Sequence, residues 1–211
     1  MRLDVGYKSV QGSTHPYEDR ILVDKERNLF AVADGVTISS QGSGDIAAEI
    51  AVTQLRKLFK GNLVKAVLDV NRYIVEVKSK NKGVGETTLT ACHIDDARAE
   101  IVSVGDSPAF LIRRNRLIEL TESDRSPWGG LTQVIGYAEY INPHRNVVEV
   151  QPEDILIVCS DGIVHIFAQG LLIGLQELSK PTEIAEKLIS LAIEYPSGYD
   201  DDKSVIVIKV V

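Results

Sequence analysis

Apolar residues recur along this chain with two different periods, and the change of period separates strands from helices. Leu3, Val5 and Tyr7 alternate with polar residues, which predicts a first strand. Between residues 46 and 77 the apolar positions follow helical spacing on either side of Gly61-Asn62, which predicts two consecutive helices. After Thr87 the period returns to that of strands.

Short apolar runs bounded by polar turns predict strands at residues 3–7, 21–24, 29–33, 88–94, 99–104, 109–113, 116–120, 147–150, 155–159 and 205–211. Amphipathic or apolar segments predict helices at residues 46–58, 63–77, 163–178 and 181–195. Because neighbouring strands are joined by short connections, we predict antiparallel pairing. The predicted fold class is therefore α+β, with antiparallel sheets packed against segregated helices.

Two of these apolar runs end abruptly in an aspartate followed by a glycine, at Asp34-Gly35 and Asp161-Gly162. Taken alone, each Asp-Gly pair is typical of a hairpin turn. The first pair, however, leads into a loop rich in Ser and Gly and then into a helix, whereas a tight hairpin would return as a strand. The surroundings of Asp34 therefore weaken the interpretation as a simple turn.

Acidic residues recur at the ends of predicted strands or in the loops beside them, at Glu18, Asp19, Asp34, Asp161 and Asp201. Gathered without lysine or arginine neighbours, such carboxylates would repel one another, and a hard divalent cation would remove that repulsion. Ligands that are all oxygen favour Mg²⁺ or Mn²⁺ over Zn²⁺. Two such ions about 3.5–4 Å apart can activate a water and hold phosphate oxygens during in-line displacement. The pattern predicts one acidic metal site.

Composition and charge narrow the classes of partner. With 211 residues, 44% of them hydrophobic, the chain is long enough for one domain with a substantial core. Its net charge of -7 gives no support for a nucleic-acid partner, whose phosphates need a basic surface. Without an apolar signal core or a stretch of about 20 apolar residues, we expect a cytoplasmic monomer with no membrane partner. Cys92 and Cys159 lack CxxC spacing and are expected to be buried, reduced thiols.

Several short motifs follow one another along the chain: Tyr17-Glu18-Asp19-Arg20, Phe30-Ala31-Val32-Ala33-Asp34-Gly35, Gly85-Glu86-Thr87-Thr88, Val104-Gly105-Asp106-Ser107, Cys159-Ser160-Asp161-Gly162 and Asp201-Asp202-Lys203-Ser204-Val205. In this order they resemble the metal-dependent protein serine/threonine phosphatases of the 2C type, the PPM family. Each motif alone is weak, but the ordered set is specific. The resemblance covers nearly the whole chain.

The resemblance implies a single phosphatase 2C-like catalytic domain over residues 1–211. The implied fold is a four-layer α-β-β-α sandwich, in which two antiparallel sheets are flanked by helices. The implied reaction is hydrolysis of phosphoserine or phosphothreonine in a protein substrate by a water that two metal ions activate, without a phospho-enzyme intermediate. The implied cofactors are two Mn²⁺ or Mg²⁺ ions and a third, weaker metal position.

The resemblance also implies a role for each acidic residue. Asp34 would bridge both metals, and Gly35 would contribute its carbonyl oxygen. The remaining implied positions are Asp19 at one metal with Glu18 as its neighbour, Asp161 and Asp201 at the other metal, and Asp106 near the third position. Asp34, Asp161 and His15 are the predicted catalytic residues.

The chain departs from the family pattern at positions that concern the substrate. Thr14 stands where relatives have an arginine that grips the substrate phosphate, and His165 stands where they have an aspartate of the third metal position. Further departures are Val36-Thr37 after Asp34-Gly35, Pro108 after Gly-Asp-Ser, and Asp202 in place of the usual asparagine. The flap, a longer helical insert in relatives, is reduced to residues 122–130. A short flap predicts a more open cleft with fewer substrate contacts.

Three side chains outside the acidic set have two interpretations each. His15 is either a general acid or phosphate contact, or a solvated loop histidine. His165 is either a metal ligand or a histidine on a helix surface. Trp128 is expected to pack against the shortened flap rather than to serve as a platform for substrate.

Two other classes of function compete with the phosphatase interpretation. Gly105-Asp106-Ser107-Pro108-Ala109 resembles a serine-hydrolase elbow, but that elbow requires a following helix, and residues 110–113 predict a strand. The stronger alternative is a phosphatase-fold module that binds a phosphoprotein or signalling partner without turnover, because the phosphate-gripping arginine is absent. A carboxylate at every implied position of the two-metal pair favours the enzyme, since crowded like charges are costly without metals.

Overall fold

Two five-stranded antiparallel sheets form the centre of the computed structural model, which describes residues 1–38, 40–168, 175 and 178–211. The strands are β1 (Leu3–Val10), β2 (Arg20–Asp24), β3 (Leu29–Ala33), β4 (Leu89–Asp95), β5 (Arg98–Val104), β6 (Ala109–Arg113), β7 (Arg116–Glu119), β8 (His144–Glu149), β9 (Ile155–Cys159) and β10 (Lys203–Val210). The helices are α1 (Gly44–Leu58), α2 (Leu63–Lys80), α3 (Val164–Ala168), which follows a 3₁₀ turn at Asp161–Ile163, and α4 (Pro181–Glu194). The first sheet has the order β1-β10-β9-β6-β7, and the second has the order β2-β3-β4-β5-β8.

Helices cover the outer face of each sheet. Residues of α1 and α2 share a hydrophobic cluster with the second sheet, and residues of α3 and α4 share another with the first sheet. A third cluster, which includes Phe30, Leu156 and Ile206, contains strand residues of both sheets and lies between them. This arrangement confirms the four-layer α-β-β-α sandwich.

The two apolar runs that end in Asp-Gly are strands covered on both faces. In β3, Leu29, Ala31 and Ala33 join the cluster under α1 and α2, whereas Phe30 and Val32 join the cluster between the sheets. The β9 run divides in the same way between the helices of the first sheet and the inner cluster. Such strands read as continuous apolar runs because neither face meets water.

Element boundaries differ from the prediction where a strand lies at a sheet edge. β8 begins at His144 rather than at residue 147, because His144, Arg145 and Asn146 pair with residues 101–103 of β5. These three residues are polar and partly exposed, so no apolar pattern indicates them. The predicted helix at 163–178 begins as the 3₁₀ turn and α3, and its remainder lies largely outside the described residues.

Both cysteines are buried and free, as predicted. Burial raises the pKa of the Cys92 thiol to about 12, so the thiolate form is scarce at neutral pH. Within the part of the chain that the structure describes, no helix combines the length and the apolar character needed to cross a bilayer.

Asp24 ties the hairpin of β2 and β3 to α1. Its carboxylate is buried and accepts hydrogen bonds from Arg27 Nε at 2.9 Å, from Arg27 Nη2 at 2.6 Å and from Arg56 Nε at 3.2 Å. Burial alone would raise the pKa of this carboxyl, but the hydrogen bonds and charge of the two arginines outweigh burial and lower the pKa. The folded state therefore favours the ionised form.

We predict that Asp24→Asn lowers the free energy of unfolding at pH 7 by about 1.5–3 kcal/mol, the range for hydrogen bonds to a charged group. Because the folded pKa lies below the unfolded value, the stabilisation is present above about pH 4 and is lost as the pH falls through the folded pKa. Urea denaturation of both proteins between pH 7 and about pH 2 measures the difference.

The control is Asp4→Asn, which removes the partner of the exposed Arg2 and should change the free energy of unfolding by less than about 0.5 kcal/mol. A difference between wild type and Asp24→Asn that stays constant from pH 7 down to about pH 2 would contradict the assigned charge effect.

Candidate metal centre

Three acidic segments that are distant in the sequence converge on one cavity of about 140 Å³. Asp34 directly follows β3, Asp161 lies two residues beyond the end of β9, and Asp201 lies two residues before the start of β10. β9 and β10 pair antiparallel with Cys159 opposite Val205, so the end of one strand lies beside the start of the other. The cavity is lined by Asp34, Gly35, Val36, Thr37, Thr88, Asp106, Arg125, Leu131, Asp161 and Asp201.

Backbone contacts hold Asp34 and Gly35 in place. The Asp34 carbonyl oxygen accepts hydrogen bonds from Thr87 Oγ1 and from the Thr88 amide, both at 2.8 Å. The Asp34 amide donates in turn to Thr88 Oγ1 at 3.1 Å. A Cβ on Gly35 would lie 2.5 Å from the carbonyl carbon of Gly44, so only glycine lets the two backbones approach this closely.

Asp19 is buried behind the cavity and has one oxygen without a protein partner. Ser160 Oγ donates to Asp19 Oδ2 at 2.8 Å, but Asp19 Oδ1 has no hydrogen bond to the described residues. Burial raises the pKa of Asp19 to about 7, although the hydroxyls of Ser204 and Ser160 act in the opposite direction. A buried acceptor without a donor is costly, and a cation would satisfy it.

His15 and Glu18 do not line the cavity, but each contacts a residue that does, Asp201 and Thr37 respectively. His15 Nε2 lies 2.6 Å from Asp201 Oδ1, and His15 Nδ1 lies 2.7 Å from the Pro16 carbonyl oxygen and 3.3 Å from Glu18 Oε2. Glu18 accepts a hydrogen bond from Thr37 Oγ1 at 2.6 Å. Burial lowers the pKa of His15, but its bonds to Pro16 and Asp201 outweigh burial and raise it.

The carboxylates in and beside the cavity repel one another. The pKa of Asp34 is raised well above its ordinary value, first by burial and then by the charges of Asp19, Asp161, Asp201 and Asp106. The pKa of Asp161 is raised to about 6 by burial, Asp106 and Asp201, against the lowering effect of Arg125. Asp34 and Asp161 are therefore harder to ionise because the other carboxylates are present.

The donor set fits a hard divalent cation. Every candidate ligand is an oxygen: the carboxylates of Asp19, Asp34, Asp161 and Asp201, and the carbonyl of Gly35. Among the residues that the structure describes, no three His, Cys, Asp or Glu side chains are arranged to bind one ion directly. Mg²⁺ keeps several waters and needs only one or two direct carboxylates, so this arrangement is consistent with hydrated ions.

Arg125 lines the cavity, although the sequence analysis did not single it out. Its Nε donates to Asp106 Oδ2 at 2.8 Å, and its Nη2 donates to Asp161 Oδ2 at 2.7 Å and also to Asp106 Oδ2. Burial lowers the pKa of Arg125, but Asp106, Asp161 and Asp34 outweigh burial and raise it. The expectation of carboxylates without lysine or arginine neighbours was therefore wrong. No pattern in the predicted loop at 123–130 distinguishes this arginine from a solvated one.

Of the positions that depart from the family pattern, Val36 and Thr37 line the cavity, whereas Thr14 and His165 do not. Thr14 Oγ1 donates to the Asp200 carbonyl oxygen at 2.9 Å, and Arg20 Nε donates to Glu49 Oε2 at 3.0 Å. His165 Nε2 is buried without a hydrogen bond to the described residues. Trp128 is 94% exposed, so the expectation that it packs against the flap was wrong.

A model of the family described as stage II sporulation protein E (SpoIIE) matches residues 41–211. The chain belongs to this family. It is 28% identical over 217 residues to the serine/threonine phosphatase stp of Listeria welshimeri, a match that covers 86% of this chain and 84% of the relative. It is 26% identical over 212 residues to the serine/threonine protein phosphatase PstP of Mycobacterium tuberculosis, covering 87% of this chain but only 40% of PstP.

Solved structures share the fold. The catalytic domain of PstP in complex with two manganese ions superposes with a TM-score of 0.85 at 24% identity, over 99% of this chain and 98% of that one. Together with the phosphatase names of the relatives, these matches confirm the resemblance to the 2C-type PPM family. This member of the family spans about 40% of the length of PstP and most of the length of the Listeria relative.

We predict that Asp34→Asn changes thermal stability differently without metal and with Mn²⁺, because it removes both a repulsive charge and a metal ligand. Without metal, the variant should unfold at the same temperature as wild type or higher, because one of several crowded negative charges is removed. With Mn²⁺ at about 100 times its Kd, wild type should gain about 2.7 kcal/mol of stability, and the variant should lose most of this gain. Thermal unfolding in chelator and in Mn²⁺ measures both effects.

Asp4→Asn again serves as the control, because it removes an exposed carboxylate paired with Arg2. An Asp34→Asn protein that keeps the full Mn²⁺ stabilisation would show that the ion is bound elsewhere.

Proposed function

We propose that this chain hydrolyses phosphoserine or phosphothreonine in a protein substrate, using Mn²⁺ or Mg²⁺ held at its acidic cavity. One observation carries the proposal: Asp34, Asp161 and Asp201, from three separate segments and both sheets, line the same cavity. The two manganese ions of the PstP catalytic domain support this choice of cofactor. The names of the relatives support a phosphoprotein as substrate.

In this proposal, Asp34 would help to hold both ions, Asp19 and the Gly35 carbonyl would contribute to one of them, and Asp161 and Asp201 would contribute to the other. When bound, the two ions activate a water for in-line attack on phosphorus and neutralise charge on the phosphate oxygens. The chain's own contribution is to hold the carboxylates close together despite their repulsion. The hydroxyls that hold Asp34 and Asp19 in place contribute to this preorganisation.

A third ion near Asp106 would have to compete with the guanidinium of Arg125. The Asp106 carboxylate already accepts two hydrogen bonds from this arginine. His165, at the other implied position of the third site, does not line the cavity. We therefore propose a centre of two ions.

His15 has contacts that fit a positioning residue for Asp201. Its Nε2 is engaged by Asp201 Oδ1, and its Nδ1 is engaged by the Pro16 carbonyl. A general acid needs a nitrogen within reach of the leaving oxygen, and His15 does not line the cavity. We propose that His15 fixes the orientation of the Asp201 carboxylate.

We also propose that residues 1–211 act as one catalytic domain, as a monomer in the cytoplasm. The pairing of β1 with β10 along eight residues supports one domain, because it joins the two ends of the chain in a single sheet. The family match over residues 41–211 supports the same conclusion.

The alternative is a phosphatase-fold module that binds a phosphoprotein without turnover. Thr14 and His165, at positions where relatives have an arginine and an aspartate, motivate it. Against it stand the raised pKa values of Asp34 and Asp161, which show what the crowded carboxylates cost in the absence of a cation. The turnover experiment decides between the two functions.

We predict Mn²⁺-dependent hydrolysis of a phosphothreonine peptide and of an aryl phosphate by the purified chain. Asp34→Asn should lower kcat/KM by more than about 100-fold, beyond the 10–100-fold typical of groups that only support a metal ligand. Phosphate release with and without Mn²⁺ is the measurement. Tight Mn²⁺ binding without turnover of any phosphopeptide would favour the binding module, and turnover that survives Asp34→Asn would refute the site.

His15→Gln, assayed on two substrates with different leaving groups, distinguishes a positioning residue from a general acid. An aryl phosphate has a good leaving group that needs no proton, whereas a phosphoserine peptide releases a poor alkoxide leaving group. We expect His15→Gln to lower kcat/KM on both substrates by the same factor, roughly 10–100-fold, with weaker Mn²⁺ binding. A loss confined to the phosphoserine peptide would instead identify His15 as the general acid.

A further inference from the structure

Arg125, in the flap, is the one cationic side chain among the described residues that line the cavity. We propose that Arg125 binds the phosphate group of the substrate, an inference that rests on the phosphatase function proposed above. The flap thereby supplies a substrate contact from a part of the chain that the sequence assigned only to a loop. Three features of the molecule support this role: the charge of the cavity, the free donor of the arginine and the firm attachment of the flap.

The charge of the cavity creates the need for a fixed cation. Asp34, Asp106, Asp161 and Asp201 all line it, and a phosphate monoester brings about two further negative charges at neutral pH. Divalent ions at the carboxylates would offset part of this charge. A guanidinium adds a donor fork whose planar geometry matches two phosphate oxygens.

Two carboxylates already orient the guanidinium of Arg125, and one of its nitrogens is still available as a donor. Its Nε and Nη2 donate to Asp106 and Asp161, whereas its Nη1 makes no hydrogen bond within the described ranges of the chain. The side chain is 48% exposed, so a ligand entering from solvent can reach it. Two carboxylates fix the plane of the guanidinium, and the remaining nitrogen is available to a phosphate oxygen.

The residue before Arg125 fixes the base of the flap. The Asp124 carboxylate is buried and accepts hydrogen bonds from the Gly105 amide at 2.8 Å, from Gln133 Nε2 at 2.9 Å and from His144 Nε2 at 2.8 Å. The Asp124 amide donates back to the Gly105 carbonyl at 3.0 Å. These bonds attach the flap to the residue that precedes Asp106, so Arg125 starts from a fixed point beside its carboxylate partner.

The far end of the flap is closed by its own backbone. The Ser126 amide donates to the Gly130 carbonyl at 2.7 Å, and the Gly129 amide donates to the Ser126 carbonyl at 2.9 Å. Arg125 and Leu131 form an isolated antiparallel bridge. A closed turn loses little further conformational entropy when ligand binds, which favours affinity.

Other cationic side chains near the cavity are already paired with other groups. Arg20 is bonded to Glu49 and to backbone carbonyls, and Lys203 Nζ is bonded to Asp200 Oδ1 and to the Asp201 carbonyl. Lys78 is paired with the buried Glu86. None of the three lines the cavity.

The test compares wild type with Arg125→Gln and Arg125→Lys, using the whole chain with Mn²⁺. Inorganic phosphate is the binding probe in calorimetric titration, and a phosphothreonine peptide gives KM and kcat. We expect Arg125→Gln to weaken phosphate binding and to raise KM by about 10- to 100-fold each, the range for a hydrogen bond to a charged group. Arg125→Lys should recover part of the affinity, because it keeps the charge without the planar fork.

The matched control is Arg145→Gln, which removes an arginine of β8 that pairs with Glu100 and does not line the cavity. It should leave phosphate affinity and KM unchanged. Mn²⁺ affinity is measured for every variant, and in Arg125→Gln we expect it to change by a smaller factor than phosphate affinity does.

Unchanged phosphate affinity in Arg125→Gln would overturn the proposal. A gain in Mn²⁺ affinity or stoichiometry with no loss of phosphate affinity would also overturn it, because Arg125 would then serve only to neutralise Asp106 and Asp161. The phosphate titration requires no turnover. A wild-type chain that binds phosphate through Arg125 but hydrolyses no phosphopeptide would therefore contradict the phosphatase function and leave the arginine site supported.

Discussion

Repulsion among closely spaced carboxylates is the constraint on which the rest of this structure depends. Asp19, Asp161 and Asp201 all oppose the ionisation of Asp34, and Asp201 also opposes that of Asp19 and Asp161. A domain has a net stability of only about 5–15 kcal/mol, so such a cluster is tolerated only where the surrounding fold is firm and a cation compensates the charge. The orphaned Asp19 Oδ1 indicates the same need.

The two-sheet sandwich provides the rigid surroundings that the carboxylate cluster requires. β3 and β9 are central strands with both faces buried, and each ends directly before or near an aspartate that lines the cavity. The ends of these strands cannot move without disturbing two hydrophobic clusters at once. Close backbone contact at Gly35 and Gly44 then fixes the loop that leaves Asp34. The apolar core thus determines where the charges of the acidic site are held.

The flap shows how a short loop can contribute to such a site. Relatives of this family are expected to carry a longer insert, and a reduced flap predicted a cleft with fewer substrate contacts. In the structure the short flap directs one guanidinium to Asp106 and Asp161, while Trp128 on the same loop is exposed to solvent. With Thr14 outside the cavity, Arg125 is the single positive side chain among the described residues that line it.

The sequence by itself determined the elements, the fold class and the acidic positions. Periodicity records which residues face the core, and burial on both faces of β3 and β9 made their ends conspicuous as apolar runs closed by Asp-Gly. It did not determine the exposed start of β8, whose pairing leaves no apolar pattern. The ordered motifs then gave the family, because a set of weak local signals in one order is specific.

Only the tertiary structure decided which side chains meet. His15 reaches Asp201 across 186 residues, and Arg125 reaches Asp161 across 36. Such contacts depend on how loops leave the sheets and on where their side chains point, and neither leaves a periodic trace in the sequence. Local pattern encodes burial, which is a property of each residue, whereas a site is a property of distances between residues that folding alone brings together.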